Sequence, residues 1–381
     1  MVIKNSNIAL LSGIVHGDIY ISDGIIEGIE PSGKGFVSCD DYIMPGFIDI
    51  HVHGGDGYDF MDGSEEAFKK ICDFHLAHGT VGLCPTTLTA TMDELKRTFD
   101  VYRSVKNKCS SHLLGLHLEG PYVSPCQLGA QDPKYAHLPS DKSYYEILDY
   151  ADGAISIWTV APELEGTSDL IQVARQYGIK ISIGHSDAIY DDVIKAEEAG
   201  ATMVTHLFSS MSTIKRVDGV RVPGVLESAL LSDHLMLELI ADGMHVPAPL
   251  IKLVLKCVPE DNLILVTDAM RGSGMTCGES VLGSLENGQK VTIRDGVARM
   301  PDGVSFAGSI ATSDRLLRTI VNQVGLPVDK ASRMLSHNPA RALGVDDEFG
   351  AIDIGRRADL VVMDSKLNVV DVMLSGQSIR S

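Results

Sequence analysis

Eight short apolar, β-branched runs recur along the middle of this chain, and helix-like segments separate most of them. The runs are FIDIHVH (47–53), VGLCPTT (81–87), LLGLHLEG (113–120), ISIWTVAP (155–162), IKISIGHS (179–186), MVTHLF (203–208), LMLELIAD (235–242) and LILVTDA (263–269). Between them lie segments such as SEEAFKKICDFHLAHG, SDLIQVARQYG, YDDVIKAEEAG and APLIKLVLKCV. Glycine closes several, as at a helix C-terminus. Near-continuous apolar strands are what a parallel sheet covered on both faces requires. Eight of them alternating with helices predict an α/β protein with a (β/α)8 TIM-like barrel. A doubly wound open sheet is the rival, and GGDG after the first run is not the GxGxxG loop expected there.

The flanks differ. Residues 1–43 read as short strands and turns with no helical period, and residues 345–381 have the same character. A small β-sandwich domain built from both chain ends (1–43 and 345–381) is therefore expected beside a barrel over 44–344. GQKVTIRDGVARMPDGVSFAGS breaks the alternation and predicts an inserted β-hairpin near 286–306, followed by closing helices in SDRLLRTIVNQVG and ASRMLSHNPARALG.

Length and charge bound the function. A chain of 381 residues suits a large barrel with a satellite. A formal net charge of −19 repels phosphate backbones, so nucleic acid is not an expected partner, although a local donor cluster can still hold a small anion. Seven scattered cysteines without a CxxC read as reduced, buried spectators. With no signal-peptide pattern and no long apolar span, a soluble cytoplasmic protein away from membranes is the expectation.

In such a barrel the chemistry sits at the C-terminal strand ends. Those ends carry His51 and His53 (first strand), Glu119 (third), His185 (fifth), His206 (sixth) and Asp268 (eighth). Alternation puts His51 and His53 on one face. Four imidazoles and two carboxylates converging on one face suit a divalent metal such as zinc or iron. Asp268 is the natural base of a hydrolytic site, with the role of a further ligand as the alternative. His117 is expected to support the donors from behind, and His16, His75, His78, His112 and His137 to be surface or structural.

The order HVHGGDG, GLHLEGPYVSP, IGHSDA, THLFSSM, IADGMHV, VTDAM, FAGS and HNPARALG resembles the N-acetylglucosamine-6-phosphate deacetylase family of the amidohydrolase superfamily, over essentially the whole chain. The resemblance implies hydrolysis of N-acetyl-D-glucosamine 6-phosphate to D-glucosamine 6-phosphate and acetate, in amino-sugar catabolism. Glu119, His185 and His206 would hold the main metal, Asp268 would be the acid/base, and His51 and His53 would add a second metal bridged by Glu119. One or two divalent ions per subunit follow, two being expected because both histidines are kept. His245 and Gln131 would meet the substrate, and Ala307 and Gly308 would lie by the acetyl group. Arg221 of RVPG would reach phosphate across a homodimer interface, where its fork suits a phosphate. Ser209 and Ser210 stand where many relatives have Asn-Ala, which leaves N-acetylgalactosamine 6-phosphate open as substrate. Another amidohydrolase, of the cyclic-amide type, would bridge its metals with a lysine on the fourth strand, and ISIWTVAPE has none. A non-catalytic sugar-phosphate or metal binder would have no use for Asp268 beside an open metal position.

Overall fold

The computed structural model describes residues 1–33, 37 and 41–379. Each apolar run is a strand: β1 Phe47–Val52, β2 Thr80–Pro85, β3 Leu116–Glu119, β4 Ile155–Val160, β5 Lys180–Ile183, β6 Ala201–Val204, β7 Met236–Ile240 and β8 Leu263–Val266. Strands β3 to β8 form one parallel sheet in chain order, and β1 pairs parallel with β2. Parallel bridges link Thr86 to His117 and Val52 to Ala269, so the sheet curls until β8 meets β1. At that junction the amide of Asp268 donates to the carbonyl of His51 (2.9 Å), and the amide of His53 donates to that of Ala269 (2.8 Å). The result is a mixed α/β fold around a curled parallel sheet. Every residue of β1, β2, β7 and β8 is buried, the burial that their continuous apolar sequences require.

A helix follows every strand, from Glu65–Ala77 after β1 to Ser313–Thr319 after β8. Local chemistry starts them. Ser64 caps the first helix by accepting the amide of Ala67, and Thr91 with Glu94 forms a reciprocal capping box before Met92–Val105. In Glu65–Ala77 the residues Ala67, Phe68, Ile71, Cys72 and His75 recur at helical spacing and are buried.

Both chain ends enter one seven-stranded sheet, in which Tyr42–Pro45 lies between Val2–Leu10 and Leu360–Met363. Its apolar face includes Ile8, Ile19, Ile43, Leu360 and Met373. Part of the expected small domain (34–36, 38–40 and 380–381) lies outside the described residues, as does Cys39. The insertion after β8 is larger than a lone hairpin: Gly278–Leu282, Gln289–Arg294 and Val297–Arg299 pair in order as an antiparallel sheet. The thiols also depart from expectation. Cys72 and Cys84 are buried and free, but Cys126, Cys257 and Cys277 are exposed. Among the described residues no helix is long and apolar enough to cross a membrane.

Candidate metal centre

The six donor-type residues meet at the C-terminal ends of the strands, and all are buried. His51 is within β1, His53 just beyond it, and Glu119 ends β3. His185, His206 and Asp268 each lie two residues past their strand, and all three have left-handed backbones (φ +47°, +28° and +48°). A side chain there is strained by its Cβ, at about 1–3 kcal/mol per residue, and such strain concentrates at functional sites. Asp49 supports the same rim from one layer below. Its Oδ1 accepts the amides of His51 (3.2 Å) and Thr267 (3.3 Å), and its Oδ2 accepts the Thr267 hydroxyl.

Glu119 is the centre of the cluster. Its Oε1 is 2.9 Å from His185 Nε2 and 3.0 Å from His206 Nε2, and those two nitrogens are 3.1 Å apart. Its Oε2 is 3.5 Å from His53 Nε2. Asp268 Oδ1 is 3.1 Å from His53 Nε2 and 3.6 Å from His51 Nε2, and His51 Nε2 is also 3.6 Å from Glu119 Oε1. Donors about 2.0–2.2 Å from one tetrahedral ion lie roughly 3.3 Å from each other, so this spacing fits N/O coordination of a divalent metal.

Two observations sharpen that fit. His51 Nε2 is buried and makes no hydrogen bond, although it faces two carboxylates. Charge gives the second. Burial lowers His51 to about 4, partly offset by Asp268 and Glu119. Burial pulls His53 and His206 the same way, but the hydrogen bond from His53 to Asp268, that from His206 to Glu119 and the surrounding carboxylate charge raise both to about 9. Against burial, the imidazoles of His185, His206 and His51 hold Glu119 well below the usual carboxylate range. The two carboxylates thus demand positive charge at this spot, which a dication would supply.

Above the donors opens a cavity of about 250 Å³. Every donor except His51 lines it, as do Ser209, Ser210, Gln131, His245 and Gly308. His245 is oriented by Asp242, whose Oδ2 is 2.9 Å from its Nδ1, and its ring packs on Phe306 at 4.7 Å between centroids. Nδ1 is thereby engaged, which leaves Nε2 for a ligand. Gln131 reaches the wall with both ends of its amide engaged. Its Oε1 accepts the amide and hydroxyl of Thr89 (2.7 and 2.8 Å), and its Nε2 donates to Glu119 Oε2 (2.7 Å). Two glycines keep the space open. A Cβ on Gly308 (φ +58°) would meet the Asp268 carbonyl oxygen at 2.8 Å, and one on Gly129 would meet Ser210 Oγ at 2.2 Å.

Two candidates from the sequence lie elsewhere. Ala307 is fully buried in the small core of the inserted sheet, with Met270 and Leu282, and does not line the cavity. Arg221 is exposed on the two-stranded ribbon formed by Lys215–Val217 and Val220–Val222, away from this cavity. His117 lies behind the donors, with Nδ1 2.9 Å from the Ile50 carbonyl and Nε2 2.7 Å from Thr159 Oγ1, so both nitrogens are occupied. His75 is buried and structural: its Nε2 is 3.0 Å from the Gly54 carbonyl, just after the histidine pair.

Reasoning from strand ends missed two buried carboxylates inside strands, Asp49 and Glu238. Glu238 Oε2 is 2.9 Å from His51 Nδ1 and 3.3 Å from the His206 amide. A single acid in an otherwise apolar strand (LMLELI, FIDI) was the available signal, because a buried charge needs a partner. Phe306, Leu88 and Leu282 on the cavity wall carried no signal of their own.

The amidohydrolase family model matches residues 42–379. The chain is 34% identical over 376 residues to N-acetylglucosamine-6-phosphate deacetylase of Bacillus subtilis, covering 95% of this chain and 92% of that one. It is 32% identical over 363 residues to N-acetylgalactosamine-6-phosphate deacetylase of Escherichia coli O157:H7, covering 94% and 93%. A mutant N-acetyl-D-glucosamine-6-phosphate deacetylase from Mycobacterium smegmatis, in complex with N-acetyl-D-glucosamine-6-phosphate, superimposes with a TM-score of 0.91 at 30% identity, covering 99% and 98%.

Proposed function

The chain belongs to the amidohydrolase family, and we propose that it hydrolyses the acetamide of N-acetyl-D-glucosamine 6-phosphate to D-glucosamine 6-phosphate and acetate, in amino-sugar catabolism. The observation that carries the reading is Asp268 on the cavity floor, in contact with His53 and within 4 Å of His51. A carboxylate there faces both a substrate space and a cluster of metal donors.

Glu119, His185 and His206 would hold the main ion, and His51 and His53 a second one bridged by Glu119, with Asp268 as the acid/base and a further ligand. Zinc or iron suits the N/O donor set. When bound, a divalent ion lowers the pKa of water and polarises a carbonyl. Asp268 accepts the proton of the attacking water as the oxygen bonds to the acetyl carbon. It then returns that proton to the sugar nitrogen as the C–N bond breaks, because an unprotonated amine is a poor leaving group. His51 and His53 hold Asp268 below its ordinary pKa against the effect of burial, so it starts as the base. His245, steadied by Asp242 and Phe306, together with Ser209 and Ser210, offers donors to the sugar phosphate.

The finer architecture belongs to the same reading. The bridges at Thr86–His117 and Val52–Ala269 support a closed (β/α)8 barrel over 44–344, and the seven-stranded sheet supports a small β domain built from both ends. Arg221 stands beside the exposed apolar residues Val217, Val220 and Leu231, which supports a homodimer that carries Arg221 to the partner's phosphate site. Free thiols and a phosphosugar substrate support a cytoplasmic location.

A second reading, deacetylation of N-acetylgalactosamine 6-phosphate, is favoured by the Escherichia coli relative and by Ser209-Ser210 at the phosphate end. Acetate release from the two epimeric 6-phosphates, with metal analysis of the same sample, decides between them. The gluco epimer is expected to turn over faster. Faster release from the galacto epimer supports the second reading, and release from neither overturns both.

A further inference from the structure

We infer that Glu238 is a positioning residue that sets the tautomer of His51 and thereby decides whether the His51–His53 half of the centre retains its metal. The inference rests on the proposed two-metal reading. Glu238 lies in the middle of β7, fully buried, 187 residues along the chain from the histidine it meets. Its Oε2 accepts the backbone N–H of His206 at 3.3 Å. As a carboxylate Glu238 has only acceptor oxygens, so the contact of the same Oε2 with His51 Nδ1 at 2.9 Å is a hydrogen bond donated by the imidazole. With its proton on Nδ1, a neutral His51 carries its lone pair on Nε2. That nitrogen is buried, makes no hydrogen bond, and lies 3.6 Å from both Glu119 Oε1 and Asp268 Oδ1. A carboxylate behind a metal-binding imidazole fixes its ring and raises its basicity.

Other uses of Glu238 fit less well. It could join His51 and His117 in a separate metal cluster. However, both nitrogens of His117 are engaged, by the Ile50 carbonyl and Thr159 Oγ1. A purely structural role is also weak, because Glu238 Oε1 makes no hydrogen bond and an apolar side chain would pack in this strand. One carboxylate oxygen touches a side chain of one half of the centre and the backbone of the other, so Glu238 also sets the two halves against each other.

The test uses the full chain, stripped of metal and titrated with zinc, as wild type and as Glu238→Gln, Glu238→Leu, His51→Asn and the double variant Glu238→Leu/His51→Asn. The wild type is expected to take two equivalents. Glu238→Leu is expected to keep one and bind the second about 10–100-fold more weakly. Glu238→Gln should fall between them, since its amide oxygen still accepts a hydrogen bond but carries no charge. The double variant should lose no more than His51→Asn alone. Nitrogen-15 spectra of the metal-free proteins give a readout that packing alone would not move: Nδ1–H for His51 in the wild type, with Nε2–H populated in Glu238→Leu. Two equivalents of wild-type affinity in Glu238→Leu overturn the proposal, as does an unchanged His51 tautomer. Should Glu238→Leu unfold by circular dichroism, the isosteric Glu238→Gln carries the zinc readout, and wild-type affinity for both equivalents in it overturns the proposal. A wild type that takes fewer than two equivalents overturns the two-metal reading itself, and the tautomer comparison then still decides the role of Glu238.

Discussion

The two halves of the centre are built differently. On one side His185, His206 and Glu119 close on each other at 2.9 to 3.1 Å, and both histidines have left-handed backbones. On the other side His51 and His53 come from an ordinary extended strand and its end, and their contacts to Glu119 are longer, at 3.5 to 3.6 Å. The first half draws its geometry from strained turns after β5 and β6. The second draws it from carboxylates behind and below, Glu238 on Nδ1 and Asp49 on the backbone amide. Donors that already contact each other form a preorganised site, whereas the second pair depends on its supporting shell. The first half is therefore expected to hold its metal the tighter of the two.

The strongest challenge to that contrast is Glu119→Gln, because Glu119 serves both halves. Both metal equivalents should be lost on elemental analysis, and turnover should fall by more than the roughly 10²–10⁴-fold that a general acid/base contributes. Asp268→Asn separates chemistry from binding: kcat should fall about 10²–10⁴-fold with metal content nearly intact. Rapid turnover in that variant would remove Asp268 from the acid/base role. The halves themselves are compared by His206→Asn against His51→Asn/His53→Asn. The former should lose the tighter equivalent and nearly all activity; the latter should lose one equivalent and keep measurable turnover. Equal losses in both would erase the asymmetry. Arg221→Ala is expected to have the smallest effect. KM should rise about 10–100-fold, as for loss of a charged hydrogen bond, with kcat little changed. An unchanged KM would leave Arg221 as an exposed charge on its ribbon.

Much of this was legible along the chain. All eight apolar runs became strands, since a strand buried on both faces has to be apolar wherever its neighbours lie. His51, His53, Glu119, His185, His206 and Asp268 were legible because each follows such a run, and strand ends of one curled parallel sheet share a rim. Glu238 and Asp49 were not, because an acid inside a strand reveals its partner only once the strands are placed in order. Gln131 carried no sign that Thr89 and Glu119 would engage its amide. The inserted sheet exceeded the expected hairpin because its first strand, Gly278–Leu282, is short and half-exposed and lacks a strong apolar pattern.

The amino-acid sequence by itself determined the alternation of strands and helices and the donor types at the strand ends. These depend on residue type and on spacing over one or two turns, which are local properties. Only the tertiary structure decided which imidazole nitrogen faces the centre, which carboxylate stands behind it, and how the two halves differ. Those follow from contacts between residues as far apart as His51 and Glu238, 187 positions along the chain, and no local period encodes such a pairing.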